Sequence, residues 1–167
     1  MAVFSISDDT SPTWEKLPQY LTLTCDGVSD PTAQIQSWLN LVGGGEAKDG
    51  CSLVVYSNNY TALSNGCSAG TGSALVTFTA TDACGNTGVT TEALFIIEDT
   101  TAPVFLTPPS DSIVQCDGSG NLTQLSGWLG ANANITTEDV CAGNVAITYD
   151  LVRETDLCGL TGSGLYR

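Results

Sequence analysis

The chain has 167 residues, room for two small domains at most. It carries 18 acidic side chains, four basic ones and no histidine, for a formal charge of −14. That balance argues against nucleic acid, whose phosphates need Lys and Arg, and against anionic membrane surfaces. No apolar run is long enough to span a bilayer, so no membrane insertion is expected.

Residues 20–25 form the first expected strand, alternating Leu and Thr. A helix should follow. Asp30 can cap it and Pro31 suits its first turn. Ile35, Trp38, Leu39 and Val42 recur at helical spacing, and Gly43-Gly44-Gly45 ends it. Strands are expected at 53–56, 74–80 and 90–97. In the second of these Val76, Phe78 and Ala80 face one way, with Leu75, Thr77 and Thr79 on the other side. Further strands are expected at 112–116 and 145–150. Between them Leu122, Leu125, Trp128 and Leu129 repeat the helical spacing. The Trp of each helix reads as a core anchor. Short strands separated by turns predict an all-β fold: tandem Ig-like β-sandwich domains with one short inserted helix per repeat, braced by disulfides.

The chain repeats itself at an offset of about 90 residues. Cys25-Asp26-Gly27 returns as Cys116-Asp117-Gly118, and Trp38-Leu39 as Trp128-Leu129. Asp49-Gly50-Cys51 returns as Asp139-Val140-Cys141, and Thr71-Gly72-Ser73 as Thr161-Gly162-Ser163. A fixed period sets the architecture. Residues 8–98 read as one complete Ig-like repeat and residues 99–167 as a second one, short of its last two strands. Residues 1–7 read as the end of a preceding repeat, since Phe4-Ser5-Ile6 matches Phe95-Ile96-Ile97. The whole reads as a stretch of a longer array.

Seven cysteines in a small Thr- and Gly-rich chain point to an oxidising compartment. No signal-peptide pattern opens the sequence. Zinc is disfavoured, because no Cys-x-x-Cys pair is present. Catalysis is disfavoured too. There is no histidine to serve as general base, no nucleophile-elbow pattern, and the acids fall in turns and linkers.

The run from Val76 to Asn86, followed by Phe95-Ile96-Ile97-Glu98-Asp99-Thr100-Thr101-Ala102-Pro103, resembles the HYR-like, Ig-like repeats of giant Bacteroidota cell-surface adhesins, including those of gliding motility. The Cys-Asp-Gly, Trp-Leu and Asp-x-Cys motifs extend the resemblance over nearly the whole chain. It implies type IX secretion, display on the cell surface, and a structural stalk used in attachment or gliding. The implied partners are neighbouring repeats of the same chain and an extracellular surface or polysaccharide. A subunit of a strand-exchange filament and a carbohydrate-binding module are the alternatives.

In an Ig-like sandwich the end of the penultimate strand lies beside the start of the third. That arrangement implies Cys51–Cys84 and Cys25–Cys67 bonds and, by the repeat, Cys116–Cys158, with Cys141 unpaired. Ig-like and cadherin-like arrays place acidic oxygens at domain junctions, which makes calcium a candidate cofactor there. Its candidate ligands are Asp8, Asp9, Asp49, Asp82 and Asn86 at one junction, and Glu98 and Asp99 at the next. Turn chemistry alone also accounts for these residues. Asp99-Thr100-Thr101 and Asp111-Ser112-Ile113 fit a Bacteroidota O-linked glycosylation pattern, with Thr100 and Ser112 as acceptors. Asn59, Asn121 and Asn134 fit the N-linked one.

Overall fold

The computed structural model describes every residue except 65, 67–69, 159 and 160, and the side chains of 156–158 are also outside the description. The chain divides into two compact units, Met1–Thr100 and Thr101–Arg167. The described residues are mostly β, with several sheets and two short α-helices among them.

Unit 1 opens on β1 (Thr13–Lys16) and β2 (Leu21–Thr24). Helix α1 spans Pro31–Asn40, with Asp30 accepting from Thr32 N at 2.8 Å as its cap. Gly43, at φ +61°, turns the chain out of the helix, in a backbone region that favours glycine. β3 (Glu46–Lys48) then pairs antiparallel with β1. Three strands complete the unit: β4 (Val55–Asn58), β5 (Gly72–Thr81) and β6 (Thr91–Glu98). The four-stranded sheet runs β2-β6-β5-β4, antiparallel except for β2 against β6, which is parallel.

The β5 alternation decides the packing. Val76, Phe78 and Ala80 are at most 1 % exposed, while Leu75 is 58 % exposed. The buried face receives Ile35, Trp38, Leu39 and Val42 of the helical segment, together with Ala93, Phe95 and Ile97 of β6. Trp38 sits 5.4 Å from Phe78 and 5.5 Å from Phe95 by ring centroids, and its indole N–H donates to Gln19 O at 3.2 Å. Much of the core is thus helix on sheet. The β1–β3 ladder joins it through Trp14, whose ring lies 5.8 Å from that of Tyr56. The Tyr56 hydroxyl in turn accepts from Ala47 N at 2.8 Å, tying β4 to β3.

Unit 2 repeats much of this design. β7 (Val104–Thr107) pairs with β8 (Thr136–Glu138), with the same irregularity as β1–β3, and α2 spans Leu122–Gly130. Trp128 Nε1 donates to Ser110 O at 2.9 Å, the counterpart of the Trp38–Gln19 bond. α2 has no side-chain cap and buries none of its residues. The rest differs. β9 (Leu151–Cys158) and β10 (Thr161–Tyr166) form an antiparallel pair. The strands expected at 112–116 and 145–150 do not form. In unit 1 the counterpart of 112–116, β2, is held by its ladder to β6. No ladder of that kind reaches 112–116 among the described residues.

Candidate functional site

Asp-containing turns recur in both units and explain most of the acidic motifs. Asp49 Oδ1 accepts from Cys51 N at 2.8 Å and Ser52 N at 3.0 Å. Asp139 Oδ1 does the same for Cys141 N and Ala142 N. In the Cys-Asp-Gly motif, Asp26 accepts from Val28 N, Ser29 N and the Ser29 hydroxyl, and Asp117 accepts from Ser119 N and Asn121 N. These carboxylates satisfy backbone donors that no ladder reaches.

The bonds carry a pH consequence. Ser29, through its hydroxyl and its N–H, holds the Asp26 carboxyl down to about 2, and backbone donors lower Asp117 as well. A depressed carboxyl contributes stability above its unfolded value, near 3.8, and loses that contribution as pH falls towards 2. Asp26→Asn should therefore be less stable than wild type at pH 6. The two should converge at pH 2, as followed by urea denaturation across that range.

One cluster goes beyond turn chemistry. Carboxylate oxygens of Asp8, Asp49 and Asp82 all lie within 4.8 Å of one another. The three come from far apart in the chain: the segment leading into β1, the turn after β3, and the turn after β5. Asp82 is only 5 % exposed. Its Oδ1 accepts from Cys84 N and Asn86 N at 2.9 and 2.8 Å, and its Oδ2 from the Asn86 amide at 2.8 Å. That amide also donates to Asp8 O at 3.2 Å, and Ser52 Oγ accepts from Ala83 N at 3.2 Å. Trp14 Nε1 donates to Val89 O at 2.7 Å, so the segment from Asp8 to Trp14 lies along residues 86–89. Burial works to raise Asp82, and the Asn86 side chain and neighbouring N–H groups outweigh it, so its carboxyl stays below the usual range. Asp49 is lowered as well, chiefly by Cys51 N–H.

Of the seven residues anticipated as cation ligands, three converge. Asn86 is beside them, but its amide nitrogen faces Asp8 and Asp82, which makes it a brace. Asp9 is exposed and outside the cluster. Glu98 ends β6 and Asp99 follows it, at the end where Ile97 pairs with Gly72 at the start of β5, whereas Asp82 follows the end of β5. Thr100 and Ser112 are exposed.

The cysteines differ from expectation in two places. Cys51 and Cys84 are brought near each other, close enough for Cys51 to influence the Cys84 thiol, yet both are exposed thiols and no bond joins them. The loops that carry them are held by the Ser52–Ala83 hydrogen bond instead. Cys141, expected to stand unpaired, is disulfide-bonded and 7 % exposed. The expectation carried strand ends over from a complete sandwich, whereas unit 2 forms two separate two-stranded ladders. Cys25 is disulfide-bonded. Cys67 and the side chain of Cys158 lie outside the described residues, and so do the Cys25–Cys67 and Cys116–Cys158 pairings.

Desolvation, followed by the charges of Asp8, Asp82 and Asp49, pushes the Cys84 thiol up. The thiolate is the reactive form. Cys84 should therefore alkylate with iodoacetamide at pH 8 several-fold more slowly than glutathione, measured by peptide mass spectrometry. A rate equal to that of glutathione would contradict this placement.

Among the described residues no helix is long and apolar enough to cross a membrane. No protein-family model matches the chain. No curated protein matches it either.

Proposed function

We infer that the chain is a non-enzymatic spacer: two Ig-like repeats from a long, disulfide-braced adhesin displayed on the cell surface, where it serves attachment or gliding. The observation that carries this reading is the path of the chain through unit 1. The chain comes in beside residues 86–89, at one end of the sheet, and leaves after Glu98, at the other. The eight residues of β6 between these ends span about 25 Å. A domain threaded end to end adds its length to whatever it joins.

The parallel β2–β6 ladder favours the same reading. Tension between residues 9 and 99 would draw β6 one way and β2 the other. That loads the Leu21–Thr24 ladder to Phe95–Glu98 in shear, so its hydrogen bonds must fail together. The absence of histidine and the use of acids to cap turns support a role without catalysis.

Protease shaving of intact producing cells tests the location. An antibody to this chain should detect a large band that disappears when the surface is shaved. A band protected until the cells are lysed would overturn the reading.

A second reading, a filament built by strand exchange, has one observation of its own. Val3, Phe4 and Ile6, whose segment matches the sequence of β6, are 87 to 91 % exposed. Unit 2 has an apolar pocket lined by Trp128, Ile147, Tyr149 and Tyr166, among others. A strand from a second copy could add there. Light scattering over a hundredfold concentration range decides it. Growing mass, abolished by Phe4→Asp, favours the filament, and a constant monomer mass removes it.

A further inference from the structure

We propose that Asp8, Asp49 and Asp82 form a binding site for one hard divalent cation, of which calcium fits best, and that the bound ion fastens the incoming segment to unit 1. The proposal stands apart from the spacer reading, since it concerns one end of one folded unit whatever the parent protein does.

The geometry gives the first reason. Three carboxylates from segments more than thirty residues apart in sequence bring oxygens within 4.8 Å of one another. Lys48, the basic residue nearest to Asp49 in sequence, is engaged with Glu15 at 2.6 Å. The charges therefore face each other without a basic partner among the described residues.

The second reason is independent of the clustering. Asp8 Oδ1 accepts from Thr10 N at 3.2 Å and from the Thr10 hydroxyl at 2.8 Å, but Asp8 Oδ2 is buried to less than 1 Å² and accepts from nothing. It is the one buried side-chain oxygen or nitrogen without a partner among the described residues. Buried polar groups are nearly always partnered, and an anionic oxygen left alone is costly. A cation among the three carboxylates supplies the missing partner.

Ligand chemistry selects the ion. The donors are oxygens, which suit hard cations. Calcium accepts mixed carboxylate and water ligands in flexible geometry, whereas magnesium demands a near-ideal octahedron. The donors here come from one chain segment and two turns and do not form a rigid cage. Asn86 is a positioning residue, because its amide holds both Asp82 and the Asp8 carbonyl in place.

The consequence is mechanical. Asp8 lies on the segment leading into β1, while Asp49 and Asp82 belong to the body of unit 1. Bound cation would clamp that segment to the two turns of unit 1, and its removal would leave the segment tied by hydrogen bonds alone.

Isothermal titration of the whole chain with calcium chloride at constant ionic strength tests this. One ion should bind with a dissociation constant of order 10⁻⁴–10⁻³ M, the range of extracellular modules. Asp8→Asn and Asp49→Asn should each weaken it about tenfold or more. In 10 mM calcium the melting temperature should rise by roughly 5–15 °C over that in EDTA. Asp82 also organises its turn, so the test rests on the other two positions. Asp8→Asn removes charge while keeping the shape of the side chain, and its far-UV circular dichroism should match wild type. Melting curves that superimpose in calcium and EDTA would overturn the proposal. So would calcium binding that both variants leave unchanged, which would mean diffuse attraction to the −14 charge.

Discussion

Trp38→Ala is expected to cost unit 1 about 3–5 kcal/mol, the range for emptying a large aromatic site in a core. Trp38 is 7 % exposed and touches both central strands through Phe78 and Phe95. It also satisfies the Gln19 carbonyl. Little else holds α1 to the sheet, since the helix contributes only Ile35 and Leu39 besides it. A loss of that size is a large share of the stability of a domain this small. The repeat supplies the control. Trp128 makes the equivalent hydrogen bond but sits on a helix with no buried residue, beside Tyr166 at 5.8 Å. Trp128→Ala should therefore cost less than about 2 kcal/mol. Urea denaturation followed by circular dichroism compares the two, and equal losses would contradict the packing described for unit 1.

Cys25→Ser and Cys141→Ser should be the next most damaging changes, each lowering stability by about 2–4 kcal/mol. Both residues are disulfide-bonded, and Cys141 is itself buried. Small domains lean on such bonds because their cores are limited. Cys51→Ser and Cys84→Ser should shift stability by no more than about 0.5 kcal/mol, because these thiols are exposed and unbonded. Thermal melts of the four variants read this directly. A large loss in Cys51→Ser and Cys84→Ser alike would mean that the two thiols join in solution.

The sequence was most legible where a long periodic pattern met a strong local signal. The alternation of Val76, Phe78 and Ala80 gave the buried face of β5. Asp30, Pro31 and the glycine run bracketed α1 to within a residue or two. The β1–β3 ladder was missed because its strands are short and read TWEK and EAK, with mostly exposed side chains and little apolar pattern. Residues 112–116 read as a strand on composition, yet a strand needs a partner, and Ile113 remains 95 % exposed. Part of the carboxylate cluster was legible too. Asp8, Asp49 and Asp82 were named from their places near turns and the linker. Nothing local separates them from Asp9 or Asp99, because convergence depends on how β3, β5 and the incoming segment meet. The helix-on-sheet core was likewise invisible to periodicity, which shows that a face is buried but not what covers it.

We propose that unit 1 transmits tension from end to end. Single-molecule stretching between handles at residues 9 and 99 tests it most directly. Unit 1 should hold until one abrupt cooperative break, and Leu23→Pro, which removes an N–H from β2, should lower the breaking force. Gradual yielding, with strands peeling one after another and no effect of that substitution, would contradict a spacer loaded through the β2–β6 ladder.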